Sequence, residues 1–287
     1  MPTERTRPAR QIAHRFRHHV ESRLLRPGRA AYAGLRIRSV HPALPVLVSA
    51  ADEMYDGYQA DTYFRVGADA LHWIRQSLLV AGRPDPECIL DLPCGHGRVL
   101  RWLRAEWPAA AITACDLNRD AVDWCVATMG ARPCYGHEDL STVDLGGPYD
   151  LIWVGSLLTH LDAPRWSVVL GSLAGALATD GLLVVSTHGQ QAAERARTSS
   201  YGLDPAERAG LLHAWSTTGF GYADYPGDEE YGISLSSPAW VEAVITEIPE
   251  LAVRTSWIAG WDHHQDVFAC QRVAGAGTAP VREASRR

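Results

Sequence analysis

The chain has 287 residues, 46% of them hydrophobic, and a formal net charge of −6. That suits one large domain with additions around an ordinary packed core. No run of about 18 apolar residues occurs, which argues against a transmembrane helix; no charged-then-apolar leader opens the chain, so a cytoplasmic protein is expected.

Charge is unevenly spread. Residues 1–40 hold ten arginines against Glu4 and Glu21, a net +8, which leaves −14 on the remainder. An acidic body argues against a nucleic-acid-binding core, and no DNA partner is expected. In the arm, Ile12, Phe16, Val20 and Leu24 recur at four-residue spacing among arginines and histidines, as in a basic helix. Such an arm contacts RNA or a membrane surface, or else docks on the acidic body. Pro27-Gly28 breaks the helix, and His41 to Pro45 reads as a linker, so residues 1–45 form an arm and linker and 46–272 the main domain.

Ser49 to Gly57 has no clear period and reads as a loop. Asp61 can cap a helix to about Ala81, with Phe64, Ala68, Leu71, Ile74 and Leu78 on one face. The next stretch is the most informative. Ile89, Leu90 and Leu92 make a buried strand, Gly95 and Gly97 a tight turn, and Arg98 to Arg104 a helix with apolar spacing. Strand, glycine turn and helix make the first half of a βαβ unit, and the start of that helix offers free N–H donors to a ligand.

The ligand is not a dinucleotide. Leu100 stands where the fingerprint needs a third small residue, and Asp91 at the strand end would repel a pyrophosphate. All 27 basic side chains are arginine, so no P-loop lysine exists. An acid beside a glycine turn suits a ligand with a cationic end and no phosphate, and S-adenosylmethionine (SAM), with its ammonium and sulfonium, fits.

Ala111 to Cys115 is the second strand, ended by Asp116 at the spacing of an acid that accepts ribose hydroxyls; Asp116 or Asn118 can also cap the next helix. Arg132 to Tyr135 is a short third strand and Tyr149 to Val154 a near-continuously apolar fourth, as a central parallel strand should be. Gly155 to His160 continue from its carboxyl end, where open α/β sheets bind ligands. Pro164 starts a helix to about Ala178, and Gly181 to Ser186 is the fifth strand, followed by Thr187-His188-Gly189. Residues 190–236 read as an insertion over the ligand side, with helices Gln190 to Arg197 and Pro205 to Ala214 and two aromatic strands; it is expected to form a substrate cap. Ser237-Pro238 starts another helix. Leu251 to Ile258 and Gln265 to Gln271 form a closing antiparallel pair, and 273–287 read as a disordered tail. The six cysteines include no C-x-x-C pair and read as buried free thiols.

Asp91-Leu-Pro-Cys-Gly-His-Gly97, the second acid Asp116 and the order of later elements resemble the class I SAM-dependent methyltransferase family over about residues 60–272. Pro93 replaces the first glycine of that family's loop. The resemblance implies a Rossmann-like three-layer α/β sandwich, whose seven-stranded, mostly parallel sheet ends in a C-terminal antiparallel pair. It implies SAM as cofactor, held by Asp91, Pro93, Gly95, Gly97, Asp116, Leu117, Asp139 (beside the adenine amino group) and Gly155. It also implies a helix before the first strand that covers the cofactor, where Tyr55, Tyr58 and Tyr63 line the site or simply pack at a lid edge.

Methyl transfer needs a nucleophile held close and in line, and a hydroxyl nucleophile gains from a histidine base. His188, at a strand end, is the first candidate and His160 the second; His263 and His264 follow. His263, His264 and Asp266 lack a further ligand at convincing spacing, so no metal is expected. The expected activity is methylation of oxygen or nitrogen on a small-molecule or sugar-like acceptor. An RNA or protein methyltransferase guided by the arm, and a catalytically silent SAM-fold binding protein, are the rivals. The oligomeric state is not legible.

Overall fold

The computed structural model describes residues 37–39, 41–55 and 60–273. The expected arm helix over Ile12 to Leu24, the Pro27-Gly28 break, Tyr58 and the tail beyond Val273 lie outside the described residues.

The elements in chain order are α1 (Ala60–Val80), β1 (Cys88–Leu92), α2 (Leu100–Glu106), β2 (Ala111–Asp116), α3 (Arg119–Met129), β3 (Arg132–Tyr135), β4 (Tyr149–Val154), α4 (Ala163–Ala176), β5 (Leu177–Thr187), α5 (Gln190–Thr198), α6 (Pro205–Thr218), β6 (Phe220–Tyr225), β7 (Asp228–Ser236), α7 (Pro238–Thr246), β8 (Leu251–Trp261) and β9 (Gln265–Arg272). Seven strands form one sheet in the order β3-β2-β1-β4-β5-β9-β8. Neighbours from β3 to β5 pair in parallel, whereas β9 runs antiparallel to both β5 and β8. This is the expected Rossmann-like sandwich. β6 and β7 form a separate antiparallel pair.

The central strands β1, β4 and β5 carry near-continuous apolar runs because both faces of the sheet are covered there. Ile89, Leu151, Leu182 and Val184 point into a core shared with α1, α2 and α3. Their neighbours Leu90, Ile152, Leu183 and Val185 point into the opposite core, with Trp166 and Leu170 of α4 and Val241 and Ile245 of α7. The period of two in a strand makes adjacent apolar residues serve opposite layers. Residues 190–236 carry a small core of their own, in which Ala192, Ala193 and Ala196 pack with Leu203, Leu211, Ile233 and Leu235.

Several boundaries differ from the sequence reading; α6 runs on to Thr218 and β8 to Trp261. β5 begins at Leu177, ahead of Gly181, because its pairing with β4 resumes across a register shift between Tyr149 and Leu151. α2 begins at Leu100, so the glycine turn takes up Arg98 and Val99 as well. His41 to Pro45 packs against the body, with Leu44 only 1% exposed within the apolar core.

Arg101 does the packing there. Its guanidinium, wholly buried, donates to the carbonyl oxygens of Pro45 (2.8 Å), Leu47 (2.9 Å) and Gly97 (2.9 Å) and to the Tyr63 hydroxyl (3.2 Å). Tyr63 in turn donates to Asp52 at 2.6 Å. Arg101→Met is expected to leave several buried acceptors without donors and to destabilise the fold by about 3–5 kcal/mol. Arg101→Lys should recover only part of this, because an ammonium cannot span the same fork of acceptors. Denaturant unfolding of both variants checks the ranking.

Candidate active site

The carboxyl ends of β1, β4 and β5 share one edge of the sheet, as parallel pairing requires, and the site is built there. After β1 the chain turns through Pro93, Cys94, Gly95, His96 and Gly97. Gly95 has φ +47°, and a Cβ added to it would project into open space, so the residue gives a ligand close access to the backbone. Gly97, φ +83°, is needed for a different reason: a Cβ there would run into Met129 of α3.

A cleft of about 200 Å³ opens over this turn. Asp91, Pro93, Gly95, Arg98, Asp116 and Gly155 line it, together with His160 and Tyr231. A larger hollow, about 650 Å³, lies along β3 and does not reach Asp91 or Gly95.

Asp91 is 1% exposed, and its Oδ2 has no hydrogen-bond partner. Burial and the nearby Asp116 hold its carboxyl well above the usual carboxylate range, against the pull of Arg98 and the Leu100 amide. A buried carboxyl with an unpartnered oxygen is the place for a ligand cation. Asp116 accepts from the Gly95 amide through Oδ2 (2.8 Å) and from the Asn118 amide through Oδ1 (2.9 Å). It therefore braces the glycine turn while each oxygen keeps a lone pair for a hydroxyl donor. Arg98 is half-buried beside the Trp261 ring, 5.5 Å from its centroid, and desolvation lowers its pKa. An unpaired buried acid, an arginine and an open glycine cradle fit a ligand with an ammonium, a carboxylate and ribose hydroxyls. These residues fit SAM.

The other expected cofactor contacts divide. Gly155 packs against Trp153 and Trp261 at the cleft wall. Leu117 is exposed, just beyond Asp116. Asp139 does not line the cleft. Its carboxylate caps the short 3₁₀ turn at Leu140–Thr142, accepting from the Ser141 amide and hydroxyl. Tyr55 and Tyr63 do not line the cleft either. They pack edge to face in the core, and Asp52 and Met54 reach the cleft instead.

The two leading histidines meet β7 at different points, His160 at Gly232 and His188, through its carbonyl, at Ser236, and have different environments. His160 Nδ1 is 2.8 Å from the Gly232 carbonyl oxygen. That acceptor keeps the proton on Nδ1 and leaves Nε2 with its lone pair. The ring stacks on Tyr231 at 4.9 Å, and burial lowers its pKa below 6.5. His188 is outside the cleft lining. It is deeply buried, faces the Ser234 backbone with one nitrogen, and leaves Nδ1 without a partner; burial, reinforced by His264, pushes its pKa down to about 3. His263 is exposed and His264 partly buried. Among the described residues no three His, Cys, Asp or Glu side chains are placed to hold a metal.

Sequence reasoning missed the network beside the cleft. Gln265 donates to Ser156 Oγ (2.6 Å) and accepts from Ser186 Oγ (2.7 Å), and Ser186 Oγ also accepts from the Ser156 amide (2.9 Å). It ties the ends of β4, β5 and β9 together. Its polar residues stand at strand ends, where the sequence pattern shows the strands but not which side chains meet across them.

A methyltransferase-domain family matches residues 67–220. A search of curated protein sequences finds no match to the chain. Among solved structures, a 1,6-didemethyltoxoflavin-N1-methyltransferase from Burkholderia thailandensis is similar with a TM-score of 0.52 at 16% identity, over 85% of this chain and 89% of its own. That structure contains 1,6-didemethyltoxoflavin and S-adenosylhomocysteine. A SAM-bound amino pentose methyltransferase from Micromonospora echinaspora, involved in calicheamicin biosynthesis, has a TM-score of 0.50 at 15% identity, over 75% of this chain and 96% of its own. An O-methyltransferase family protein from Burkholderia thailandensis, 18% identical with a TM-score of 0.47, is covered over 59% of its length by 74% of this chain. The matched family, the strand order and the cleft agree: the chain belongs to the methyltransferase-domain family, as an S-adenosylmethionine-dependent enzyme with the class I fold.

Proposed function

We propose that this enzyme methylates an oxygen or nitrogen atom of a small-molecule acceptor, with His160 as the general base. The observation that carries the reading is the His160 imidazole, fixed as the Nδ1–H tautomer by the Gly232 carbonyl at 2.8 Å and lining the same cleft as Asp91 and Gly95. Bound SAM supplies an electrophilic methyl group on a sulfonium centre.

Asp91 pairs with the cofactor's ammonium, which offsets the burial that otherwise favours its protonated form. Asp116 accepts the ribose hydroxyls while it holds Gly95 in place. Arg98 offers its guanidinium to the cofactor's carboxylate. His160 Nε2 takes the proton of the attacking hydroxyl or amine as its bond to carbon forms. His188 is a poor proton acceptor by comparison, since a base whose pKa lies near 3 gives little driving force at neutral pH. The similar proteins that act on a toxoflavin precursor and on an amino pentose belong to the acceptor class proposed here.

Two measurements test the reading. Release of S-adenosylhomocysteine is expected when SAM is offered with a panel of small phenols, alcohols and amines; product formed only with RNA or protein would overturn it. His160→Ala is then expected to lower kcat by roughly 10²–10⁴-fold with cofactor affinity intact. Because burial lowers the His160 pKa, its base form persists on acidification, and the acid limb of kcat should lie below pH 6.5.

Asp91→Asn should act in two opposite directions. The raised pKa in the fold means that burying the ionised carboxyl costs stability, a cost that grows as pH rises towards that pKa. The amide is therefore expected to raise the melting temperature of the cofactor-free protein at neutral pH. It should at the same time weaken binding of S-adenosylhomocysteine by about 1.5–3 kcal/mol, roughly ten- to a hundredfold. Calorimetric titration and a thermal melt on the same sample check both signs.

A further inference from the structure

Among the described residues that line the cleft, Ser156 is the one non-glycine residue with a positive φ, +60°. An L side chain is strained in that region, and glycine is the residue that avoids the strain. Such strain persists only where the surroundings over-determine it, and it collects at ligand sites. A glycine would suit this backbone better than a serine does, so the hydroxyl is the feature that needs a role.

The hydrogen bonds around Ser156 fix where each proton lies. Its backbone N–H can only donate, and it donates to Ser186 Oγ (2.9 Å). Ser186 is wholly buried, so its own proton needs an acceptor, and Gln265 Oε1 takes it at 2.7 Å. That sets the amide: its other end is the NH₂ group, which donates to Ser156 Oγ at 2.6 Å. The reverse amide orientation would leave the Ser186 proton buried without that acceptor. The Ser156 oxygen therefore already accepts, and nothing in this network accepts its proton. Ser156 lines the cleft, which is where that proton finds a partner. The strand order puts this donor beside the base. β2 and β1 bring Asp116 and Asp91 to the cleft, and β4 lies on the far side of β1 from β2. Ser156 and His160 both follow β4 in one turn, which Thr159 Oγ1 closes by donating to the Ser156 carbonyl (2.9 Å), and both line the cleft.

We infer that Ser156 selects a hydroxyl oxygen, in preference to an amine nitrogen, as the atom that is methylated. The inference rests on the proposed function, with His160 as the base. A hydroxyl oxygen carries two lone pairs and one proton. One lone pair forms the bond to the methyl carbon, while the carbon–sulfur bond breaks with its electron pair on sulfur. The proton passes to His160 Nε2. The second lone pair stays free, and the Ser156 hydroxyl donates to it, keeping its own proton throughout. A neutral amine nitrogen has a single lone pair, and the methyl carbon takes it. Ser156 would then face an N–H, donor against donor, with its strained backbone unchanged. A site built to hydrogen-bond one group rejects an analogue that leaves its polar atoms unpaired.

The experiment uses the full chain and matched pairs from the same small-molecule panel, phenol with aniline and 4-hydroxyacetophenone with 4-aminoacetophenone. Turnover is measured with saturating SAM, and binding to the chain saturated with S-adenosylhomocysteine is measured by calorimetric titration. The hydroxyl member of a pair is expected to be methylated and to bind more tightly than its amine. Ser156→Ala should lower kcat/KM for the hydroxyl by about tenfold more than for the amine, the scale of one hydrogen bond. Dividing one loss by the other removes the difference in intrinsic reactivity between the two. Gln265→Glu keeps the serine and nearly keeps the shape of the side chain, but it presents acceptors at both ends. The Ser156 proton then turns back to the carboxylate, and the same loss of preference is expected. Ser156→Gly should also lose the preference, yet melt at a higher temperature than Ser156→Ala, because glycine is free of the strain; a serine kept only for the fold would shift melting and leave the preference in place. The inference is overturned if neither hydroxyl is a substrate, if Ser156→Ala lowers both members of a pair alike, or if Gln265→Glu leaves the hydroxyl preference intact. Product from amines alone sinks this inference while the proposed function stands. Product from no small molecule of the panel strikes the proposed function itself, so the two failures read differently.

Discussion

One buried guanidinium holds the ligand side of this enzyme together. Arg101 sits in the first turn of α2 and donates at once to the glycine turn, to the strap at Pro45 and Leu47, and to Tyr63 of α1. Each of those segments is irregular or terminal, and none could keep its carbonyls buried without a donor. Because Tyr63 passes the bond on to Asp52, the same arginine sets the loop that carries Asp52 and Met54 over the cleft. Four parts of the chain distant in sequence thus share one charge, and the position of the glycine turn depends on it. Arginine suits the task because its planar fork presents several donors in fixed directions, and because it stays charged when buried.

The electrostatics of the cleft follow from burial. Asp91 is buried with an unpartnered oxygen, and Arg98 is half-buried beside it. Such a site favours a ligand that brings opposite charges of its own. His188, Tyr201 and His264, outside the cleft lining, are each held neutral by burial. His160 belongs to β7 as much as to its own turn, since Gly232 of β7 fixes its tautomer.

Much of this was legible in the residues, and the limits have physical causes. β3 and β4 begin and end where the sequence puts them, and so do the caps Asn118 and Ser237. Buried parallel strands are continuous apolar runs bounded by turn residues, and a capping side chain needs only local geometry. The start of β5 was hidden because Leu177 pairs with Tyr149 only across a register shift, which pattern does not reveal. Asp139 caps a turn in the structure, and an acid two residues before a serine suits a cap as well as it suits a ligand. Arg101 was illegible for a related reason. Arg98, Arg101 and Arg104 recur at every third position, the usual sign of a solvated face, yet Arg101 is fully buried and Arg104 donates to the carbonyls of Met129 and Ala110. Only tertiary acceptors separate a buried arginine from an exposed one.

The division between legible and illegible follows the architecture. The cofactor half of the site stands on β1 and β2, whose form is dictated by local pattern, and a glycine turn allows few alternatives. The histidine and tyrosine group beyond the cleft is assembled from the end of β5, the α5–α6 link and the β8–β9 turn, which meet only after the insertion folds on its own small core. Its three polar rings lie far apart in sequence, and each alone reads as an ordinary surface or packing residue. What marks them is a shared property that no single position carries: polar atoms buried together without partners.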